Sequence, residues 1–340
     1  MKKFLGLSAV VFLFSMCSTE LDLLDDWKET TVVYGLLDQS QPKQYIRIQK
    51  AFLGPDNAYD MAQQYDSINY INQLDVRMER LTSGEAIDST IYFQPDTIYN
   101  KQPGDFYAPM YVIYSFPQSS TWFSTSYYYR LVINNASTGN EVSSTTRIIQ
   151  NFDIIGPNFG TIGFASNNVN YKVEIKWEPA GNAVKYQLMM VFHYTEVDIN
   201  MVATARATNG WIIGEMDATA NAVSDESYKF DPDAFYRFVS NSIQADNNII
   251  ERRCDSVKFY VYACGTELND YMNINGPSSS IVQERPQYTN ITNGLGVYSA
   301  RTSTTRAYTL ANQSLDSLSR GRFTCTLKFL DHNGDNFGCQ

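Results

Sequence analysis

The chain has 340 residues, and 44% of them are hydrophobic, so it is long enough to form two domains with separate cores. Its net charge of −10 argues against nucleic-acid binding, because a protein that holds phosphates presents clustered lysine and arginine. The 24 tyrosines and 19 phenylalanines favour β-strands, in which aromatic and β-branched side chains are enriched.

The first 16 residues have the pattern of an export signal. A positive start at residues 1–3 precedes an apolar run of about a dozen residues that ends at Met16, whereas a helix needs roughly 20 to cross a bilayer. The tripeptide Phe-Ser-Met before Cys17 resembles the box of bacterial lipoproteins, in which the cysteine becomes the first residue and is acylated. We expect a signal peptide over residues 1–16 and lipidation of Cys17. The alternative is an ordinary signal peptide with an incidental cysteine.

Residues 17–29 are expected to form a lipidated, acidic tether. Glu20 and Asp22 follow Cys17 closely, a pattern that resembles the surface-export signal of Bacteroidota lipoproteins. Each buried acyl methylene contributes about 0.8 kcal/mol, so several acyl chains hold a folded domain on a membrane. The expected location is the outer membrane, lipid-anchored and at the cell surface.

Residues 30–160 predict an N-terminal β-sandwich. The segment KQYIRIQKAFL alternates apolar and polar side chains, as a strand with one buried face does. Further strand-like segments are TTVVYGLLD, QLDVRMERL, STIYFQPDTIY, PMYVIYSF and YYYRLVINN. Many short strands separated by turns are typical of a sandwich.

Aromatic residues are concentrated between residues 106 and 129. Strand alternation cannot bury all of them in one core, so some are expected to face solvent, a sugar or a partner protein. The alternative is a strand that is buried on both faces against the second domain. Aromatic anchors dominate protein interfaces and carbohydrate platforms. The candidate ligand- or partner-binding residues are Tyr107, Tyr111, Trp122, Phe123 and Tyr128.

Residues 161–340 predict a second sandwich. The spacing in YKVEIKWEPAGNAVKYQLMMVFHY resembles the B–C hairpin of fibronectin type III domains, in which a buried tryptophan faces a later tyrosine. We therefore expect Trp177 in the core rather than in a ligand platform. A helix is predicted near residues 231–245, because Asp231 can cap it and Pro232 suits its first turn.

Four cysteines besides Cys17 lie in the last third of the chain. Cys254 and Cys264 flank one strand-like segment, which holds them too far apart to bond unless the strand turns. Structural disulfides or free buried thiols are expected; cross-strand bonds from these two to Cys325 or Cys339 are favoured, and the pairing stays open. A metal centre is disfavoured, since the sequence has no CxxC motif and no nearby histidine pair.

Two segments resemble a known family. PQYTNITNGLGVYSARTST resembles the NI.GGLG.F.A signature near the end of Bacteroidota lipoproteins in domain-of-unknown-function family 4249, and TTVVYGLLDQSQPKQYIRIQKAF resembles the start of its first domain. Members are often encoded next to TonB-dependent receptors, so the resemblance implies a location and a receptor partner rather than a reaction. Within the motif, Asn293-Gly294 can turn the chain and Gly296 allows close packing. A turn that closes the fold is favoured over a ligand loop.

Catalytic motifs are scarce. The chain has two histidines and lacks the GxSxG, HExxH and Walker patterns. DHNGDN near the C-terminus fails the EF-hand spacing and predicts a β-turn. The sequence thus predicts an all-β protein of two sandwiches with a short helical insertion and no cofactor. We expect a non-catalytic binding or accessory protein of a TonB-dependent receptor. The alternatives are a surface glycan hydrolase with a carboxylate pair and a structural or adhesive surface protein.

Overall fold

The computed structural model describes residues 30–51, 57–117, 122–165, 168, 170–220, 223–276, 287–336 and 338–339. The predicted signal peptide, Cys17 and the tether lie outside the described residues. No helix in the described ranges is long and apolar enough to cross a membrane. Strands far outnumber helices, which confirms the all-β prediction.

The first half of the described chain contains the strands β1 to β8, which form most of the N-terminal sandwich, and the short strands β9 and β10, which pair with strands of the second. Their bounds are β1 (Thr30–Leu37), β2 (Lys43–Ala51), α1 (Ala58–Ala62), α2 (Tyr65–Ile68), β3 (Leu74–Leu81), β4 (Ile87–Tyr92), β5 (Gln94–Ile98), β6 (Tyr111–Pro117), β7 (Tyr128–Asn135), β8 (Glu141–Arg147), β9 (Ile154–Gly156) and β10 (Thr161–Ile162).

The second half contains longer strands and three of the helices. Their bounds are β11 (Val173–Trp177), β12 (Lys185–Asp198), β13 (Ala203–Ala207), β14 (Trp211–Asp217), β15 (Glu226–Phe230), α3 (Pro232–Ser242), β16 (Ile249–Cys264), α4 (Thr266–Asn275), β17 (Gly294–Leu310), α5 (Asn312–Arg320) and a 3-10 turn (Cys325–Leu327).

The N-terminal sandwich has one sheet in the order β17-β1-β2-β6-β5 and a second in the order β4-β3-β7-β8. Alternate residues of each strand enter a common core, which includes Val33 and Ile46 from the first sheet and Met78 and Leu131 from the second. The period of two in these segments is what places one set of side chains inside.

The second sandwich also has two sheets. One sheet runs β15-β11-β9, and the other runs β14-β12-β16-β17. The predicted hairpin between β11 and β12 is wrong in one respect, because these strands do not pair and lie in opposite sheets. Trp177 is fully buried, and its ring meets Tyr186 edge-on at 5.4 Å across the sandwich, which confirms its core position.

The predicted helix is α3. Asp231 accepts a hydrogen bond from the backbone N–H of Asp233, as an N-cap does, and Pro232 occupies the first turn. Phe235 and Val239 are four residues apart and therefore lie on the same, buried face of the helix. This apolar face packs against the second sandwich.

Strand β17 belongs to both sandwiches. Its first part, Gly294 to Ala300, pairs in parallel with β1, and its second part, Arg301 to Tyr308, pairs antiparallel with β16. The largest sheet therefore contains strands of both sandwiches. It is not divided into two sheets where the sequence predicted a domain boundary, between residues 160 and 161.

The cysteines pair differently from the expectation. Cys325 and Cys339 bond to each other, with Cα atoms 4.8 Å apart, while Cys254 and Cys264 are free. The predicted cross-strand disulfides are wrong because the register places no cysteine opposite either thiol of β16. Burial raises the pKa of Cys254 to about 12 and that of Cys264 to about 11, so both behave as inert core side chains.

Candidate partner-binding face

The outward surface of the first sheet is unusually apolar and aromatic. Side chains that alternate with the core residues point away from the sandwich. Thr30, Lys43, Gln49 and Asp96 lie at the margins of this surface, and we call the apolar, aromatic and arginine residues between them the tyrosine–arginine face. Its members are Val32, Tyr34, Leu36, Tyr45, Arg47, Ile98, Tyr111, Ile113 and Leu295.

The sheet register brings these side chains together. Tyr34 lies opposite Arg47, Ile98 lies opposite Tyr111, and Val32 lies beside Leu295. Tyr34 is 42% exposed and Tyr45 is 46% exposed, so the rings are presented to solvent.

Arg47 occupies the middle of the face. Its guanidinium lies 5.0 Å from the ring centre of Tyr111, a cation–π geometry, and it makes no ion pair with the described residues. Its Nε is buried without a hydrogen-bond partner in the same part of the chain. The buried Nε is not open to solvent, but a stacked guanidinium without an ion pair can bind an incoming carboxylate, phosphate or carbonyl oxygen through its terminal N–H groups.

The outward surface of the second sheet differs in kind. There Glu79 accepts hydrogen bonds from Arg77 at 2.9 Å and from Arg130 at 2.8 Å. Burial opposes ionisation of Glu79, but the hydrogen bonds and charges of the two arginines outweigh it and lower its pKa. The centre of this outer surface is thus a satisfied ion-pair network, as expected of a solvated sheet. On the first sheet the Lys43–Asp96 pair, at 3.1 Å, lies at the edge strand β5, and the centre is occupied by Tyr45, Arg47 and Tyr111.

Helix α4 sets one border of the face. Its Leu268 N–H donates to the hydroxyl of Ser299 at 3.1 Å, and its Tyr271 ring meets Tyr34 edge-on at 6.5 Å. Burial, with a smaller effect of Tyr271, raises the pKa of Tyr34, so the phenol stays neutral at ordinary pH. The helix therefore covers the β17 end and leaves the β1, β2 and β6 rows open.

The structure scatters the five residues chosen from the sequence. Tyr111 belongs to the tyrosine–arginine face. Tyr107 is half-buried beside Tyr65, with ring centres 5.4 Å apart, and Tyr128 is exposed at the start of β7 beneath the guanidinium of Arg147.

Trp122 and Phe123 lie together in an aromatic cluster. Phe123 is 7% exposed, and its ring centre lies 5.1 Å from that of Tyr129. The expectation that Phe123 is presented to a ligand is therefore corrected, because it fills the core of the sandwich. Trp122 is half-buried and receives the Arg80 guanidinium 5.5 Å from its ring centre, so its outer surface is already occupied.

The sequence analysis did not select Tyr34, Tyr45 or Arg47 as candidate binding residues. The signal was present in β1, where VVYGLL is apolar at both odd and even positions. A strand with one solvated face would alternate, so the apolar residues at outward positions of β1 indicate a surface that is not adapted to water.

The glycine motif forms a turn, as predicted. Asn293 has a φ of 58°, and Gly296 has a φ of 109° with its backbone against β1. The side chain of Asn290 bonds both the N–H and the C=O of Tyr298, at 3.0 Å and 2.6 Å, which closes the start of β17. A polar cavity of 510 Å³ lies beside this turn at the start of β1.

The DHNGDN segment also forms its predicted β-turn, with the Gly334 N–H donating to the Asp331 carbonyl at 3.2 Å. Asp316, Asp331 and His332 come within 4.8 Å of one another. Both oxygens of Asp331 are used, one by Arg320 at 2.6 Å and the other by backbone N–H groups of the turn. The cluster is therefore satisfied by the protein itself.

Among the described residues, the carboxyl groups with displaced pKa values share one direction of shift. Each described carboxyl whose pKa is clearly displaced is displaced downward, as at Glu79, Glu174 and Asp331. A glycosidase acid needs the opposite shift. The described residues thus define a two-sandwich β-protein with an open aromatic face.

Comparisons with known proteins add little to this picture. No protein-family profile and no curated protein matches the chain. Among solved structures, it is similar to Escherichia coli alpha-2-macroglobulin in its native conformation and after activation by porcine elastase, each with 7% identity and a TM-score of 0.21. The trypsin-activated form gives 9% identity and a TM-score of 0.19. Each alignment covers 84% of this chain but only 14%, 20% and 16% of those chains.

Proposed function

We propose that this protein is a non-catalytic, lipid-anchored subunit at the surface of an outer membrane. It binds a TonB-dependent receptor or another outer-membrane protein through the tyrosine–arginine face. The observation that carries the proposal is the contrast between the two outer sheet surfaces. An Arg77–Glu79–Arg130 network crosses the second, whereas Arg47 at the centre of the first makes no ion pair with a described residue, and the Lys43–Asp96 pair lies at the edge strand β5.

The composition of the face supports protein binding. Tyrosine and arginine are enriched among the residues that dominate interface energies, and a flat sheet row presents them without a rearrangement of the backbone. Tyr45, Arg47 and Tyr111 are the central anchors, while Val32 and Leu36 supply apolar area around them.

The sequence supports the anchor. The short apolar leader, Cys17 and the acidic residues after it resemble an exported lipoprotein, and 12 residues separate the cysteine from the first described strand. Such a tether keeps the sandwiches near the membrane, where a receptor partner is concentrated. The family resemblance in the NGLG segment points to the same setting.

The anchor is tested by a single change. Cys17→Ala should move the protein from the membrane fraction to the soluble fraction, and mass spectrometry of the wild-type N-terminal peptide should find acyl chains on residue 17. A soluble wild-type protein with an unmodified cysteine contradicts the anchor.

The face is tested by photo-crosslinking in the source bacterium. A photoreactive phenylalanine analogue at Tyr45 should form an adduct with an integral outer-membrane protein of the receptor class. The matched control is Tyr92, which is also an exposed strand tyrosine, 56% exposed, but lies on the other sheet. Arg47→Ala should reduce the Tyr45 adduct. Equal adducts at both positions, or none at Tyr45, refute the assignment of this face.

A further inference from the structure

Strand β13 forms an open edge of the largest sheet. It pairs with β12 on one side, and no strand in the described part of the chain lies on its other side. Four of its five residues are exposed, and the fifth, Thr204, is half-buried.

The register shows which backbone groups face outward. Asp198 N–H donates to the Val202 carbonyl at 3.1 Å, and Thr208 N–H donates to the Phe192 carbonyl at 3.0 Å. Hydrogen-bonded pairs alternate along an antiparallel ladder, so Thr204 and Arg206 bond to β12. The N–H and C=O groups of the intervening alanines therefore point away from β12. These alanines are Ala203, Ala205 and Ala207.

The edge strand is short and carries Arg206, but its outward-bonding positions have no further protection against pairing. Natural edges carry a proline, a bulge or a charged residue at the exposed positions. Here the ladder with β12 has no register shift, and the outward-bonding residues are all alanine. The nearby charge of Arg206 is directed to Glu196, with Nε 3.0 Å from a carboxylate oxygen. Small side chains allow another strand to approach closely.

The sequence of β13, Ala-Thr-Ala-Arg-Ala, is almost palindromic. When two copies run antiparallel, Ala205 lies opposite Ala205 of the second copy, and Ala203 lies opposite Ala207. Every outward N–H then meets an outward C=O, and no like charges lie directly opposite each other. A twofold axis requires this kind of self-complementary surface.

Apolar side chains extend the match beyond the strand. Met201 is 74% exposed and Val202 is 55% exposed in the turn before β13, and Ile212 is 53% exposed at the start of β14. The Asp198 carboxylate accepts hydrogen bonds from the Asn200 and Val202 backbone N–H groups, which holds this turn in one shape. Antiparallel pairing places the turn of one copy beside the 208–212 segment of the other. Because of the twofold symmetry, this apolar contact forms at both ends of the paired strands.

We propose that two copies of this chain associate through β13, edge to edge and antiparallel, to form a twofold dimer with one continuous sheet. The occupant of the open edge is thus a second copy rather than a strand of another protein. This inference is independent of the tyrosine–arginine face, which lies in the other sandwich and stays open in the dimer.

Thiol crosslinking on the full-length protein tests the register. Cβ atoms of directly opposed residues are about 4.5–5.5 Å apart, so Ala205→Cys should be linked into a dimer by a short bis-methanethiosulfonate. The matched control is Ala203→Cys, an exposed alanine of the same strand. Its two copies are offset by four residues, about 13 Å along the strand, which should leave it unlinked. Mixing Ala203→Cys with Ala207→Cys should restore the link, since these positions oppose each other.

Wild-type protein is the control for background crosslinking. It should form no crosslinked dimer, because burial raises the pKa values of the Cys254 and Cys264 thiols. Ala205→Pro supplies a second measurement. It removes an outward N–H and no bond to β12, so the fold should persist by circular dichroism while light scattering changes from a dimer mass to a monomer mass.

Two results overturn the proposal. One is a monomeric wild type together with no Ala205→Cys link. The other is an Ala203→Cys link that forms as readily as the Ala205→Cys link, which means random collision. A crosslink from Ala205→Cys to a different protein assigns the edge to that protein and likewise overturns pairing between copies.

Discussion

Replacement of Gly296 by alanine, compared with the same change at Gly139, tests how much the close contact between β17 and β1 contributes to the free energy of unfolding. Gly296 has a φ of 109°, and a Cβ at this position would overlap the Val33 carbonyl oxygen on β1. That oxygen is backbone and cannot rotate away, so β1 and β17 must move apart.

The magnitude follows from two costs. An L-residue with a positive φ loses about 1–2 kcal/mol. Forcing an extra carbon into a packed contact costs about 1–3 kcal/mol more. Gly296→Ala should therefore lower the free energy of unfolding by about 2–5 kcal/mol.

Gly139 provides the matched control. It has a φ of 73°, but no heavy atom lies within 4 Å of the place that a Cβ would occupy, so Gly139→Ala should lose only about 1–2 kcal/mol. Urea denaturation measures both, with the midpoint read at an unchanged slope. If the two variants lose the same stability, the close approach of β17 to β1 does not stabilise the fold, and the reasoning fails.

Three further predictions concern other parts of the molecule. The Arg252 side chain is 2% exposed and bonds Glu196 and two backbone carbonyls. Arg252→Ala should therefore lower the free energy of unfolding by about 3–5 kcal/mol in a denaturation experiment. Arg253→Ala, at the exposed neighbour, should lower it by less than about 1 kcal/mol. The lowered pKa of Glu79 means that its ionised form stabilises the folded state above the unfolded value of about 4.3, and this stability is lost as pH falls through the lower folded value. Glu79→Gln should therefore show a weaker loss of urea midpoint on acidification than wild type, and parallel pH curves would contradict this. Reduction of the Cys325–Cys339 disulfide should cost about 3 kcal/mol, and peptide mapping of the oxidised protein should find that linkage while both β16 thiols stay unlabelled until denaturation.

The sequence predicted local features best. Alternation in KQYIRIQKAFL, the cap and proline of α3, and the Asn293 turn each depend on neighbouring residues, and all appear in the structure. The burial of Trp177 could also be predicted from the sequence, since a large apolar residue in a short strand has few alternatives to a core position.

Features that depend on distant pairing were not predictable. Nothing near residue 294 indicates that β17 lies parallel to β1, because a parallel neighbour carries no turn signature. The disulfide partner of Cys325 depends on how the C-terminal segment folds back. The burial of Phe123 depends on Phe116 and Tyr129 of separate strands, so sequence clustering of aromatic residues said little about exposure.

Strand β1 is the route by which tension from the N-terminus enters the described fold. It is bonded along its length to β2 on one side and to β17 on the other, over registers that begin at Thr30 and Thr31. A pull at Thr30 directed along the strand loads these hydrogen bonds in shear, so they resist as a group instead of opening one by one. Because β17 continues into the second sandwich, such a load is transmitted through one hydrogen-bonded strand to both sandwiches.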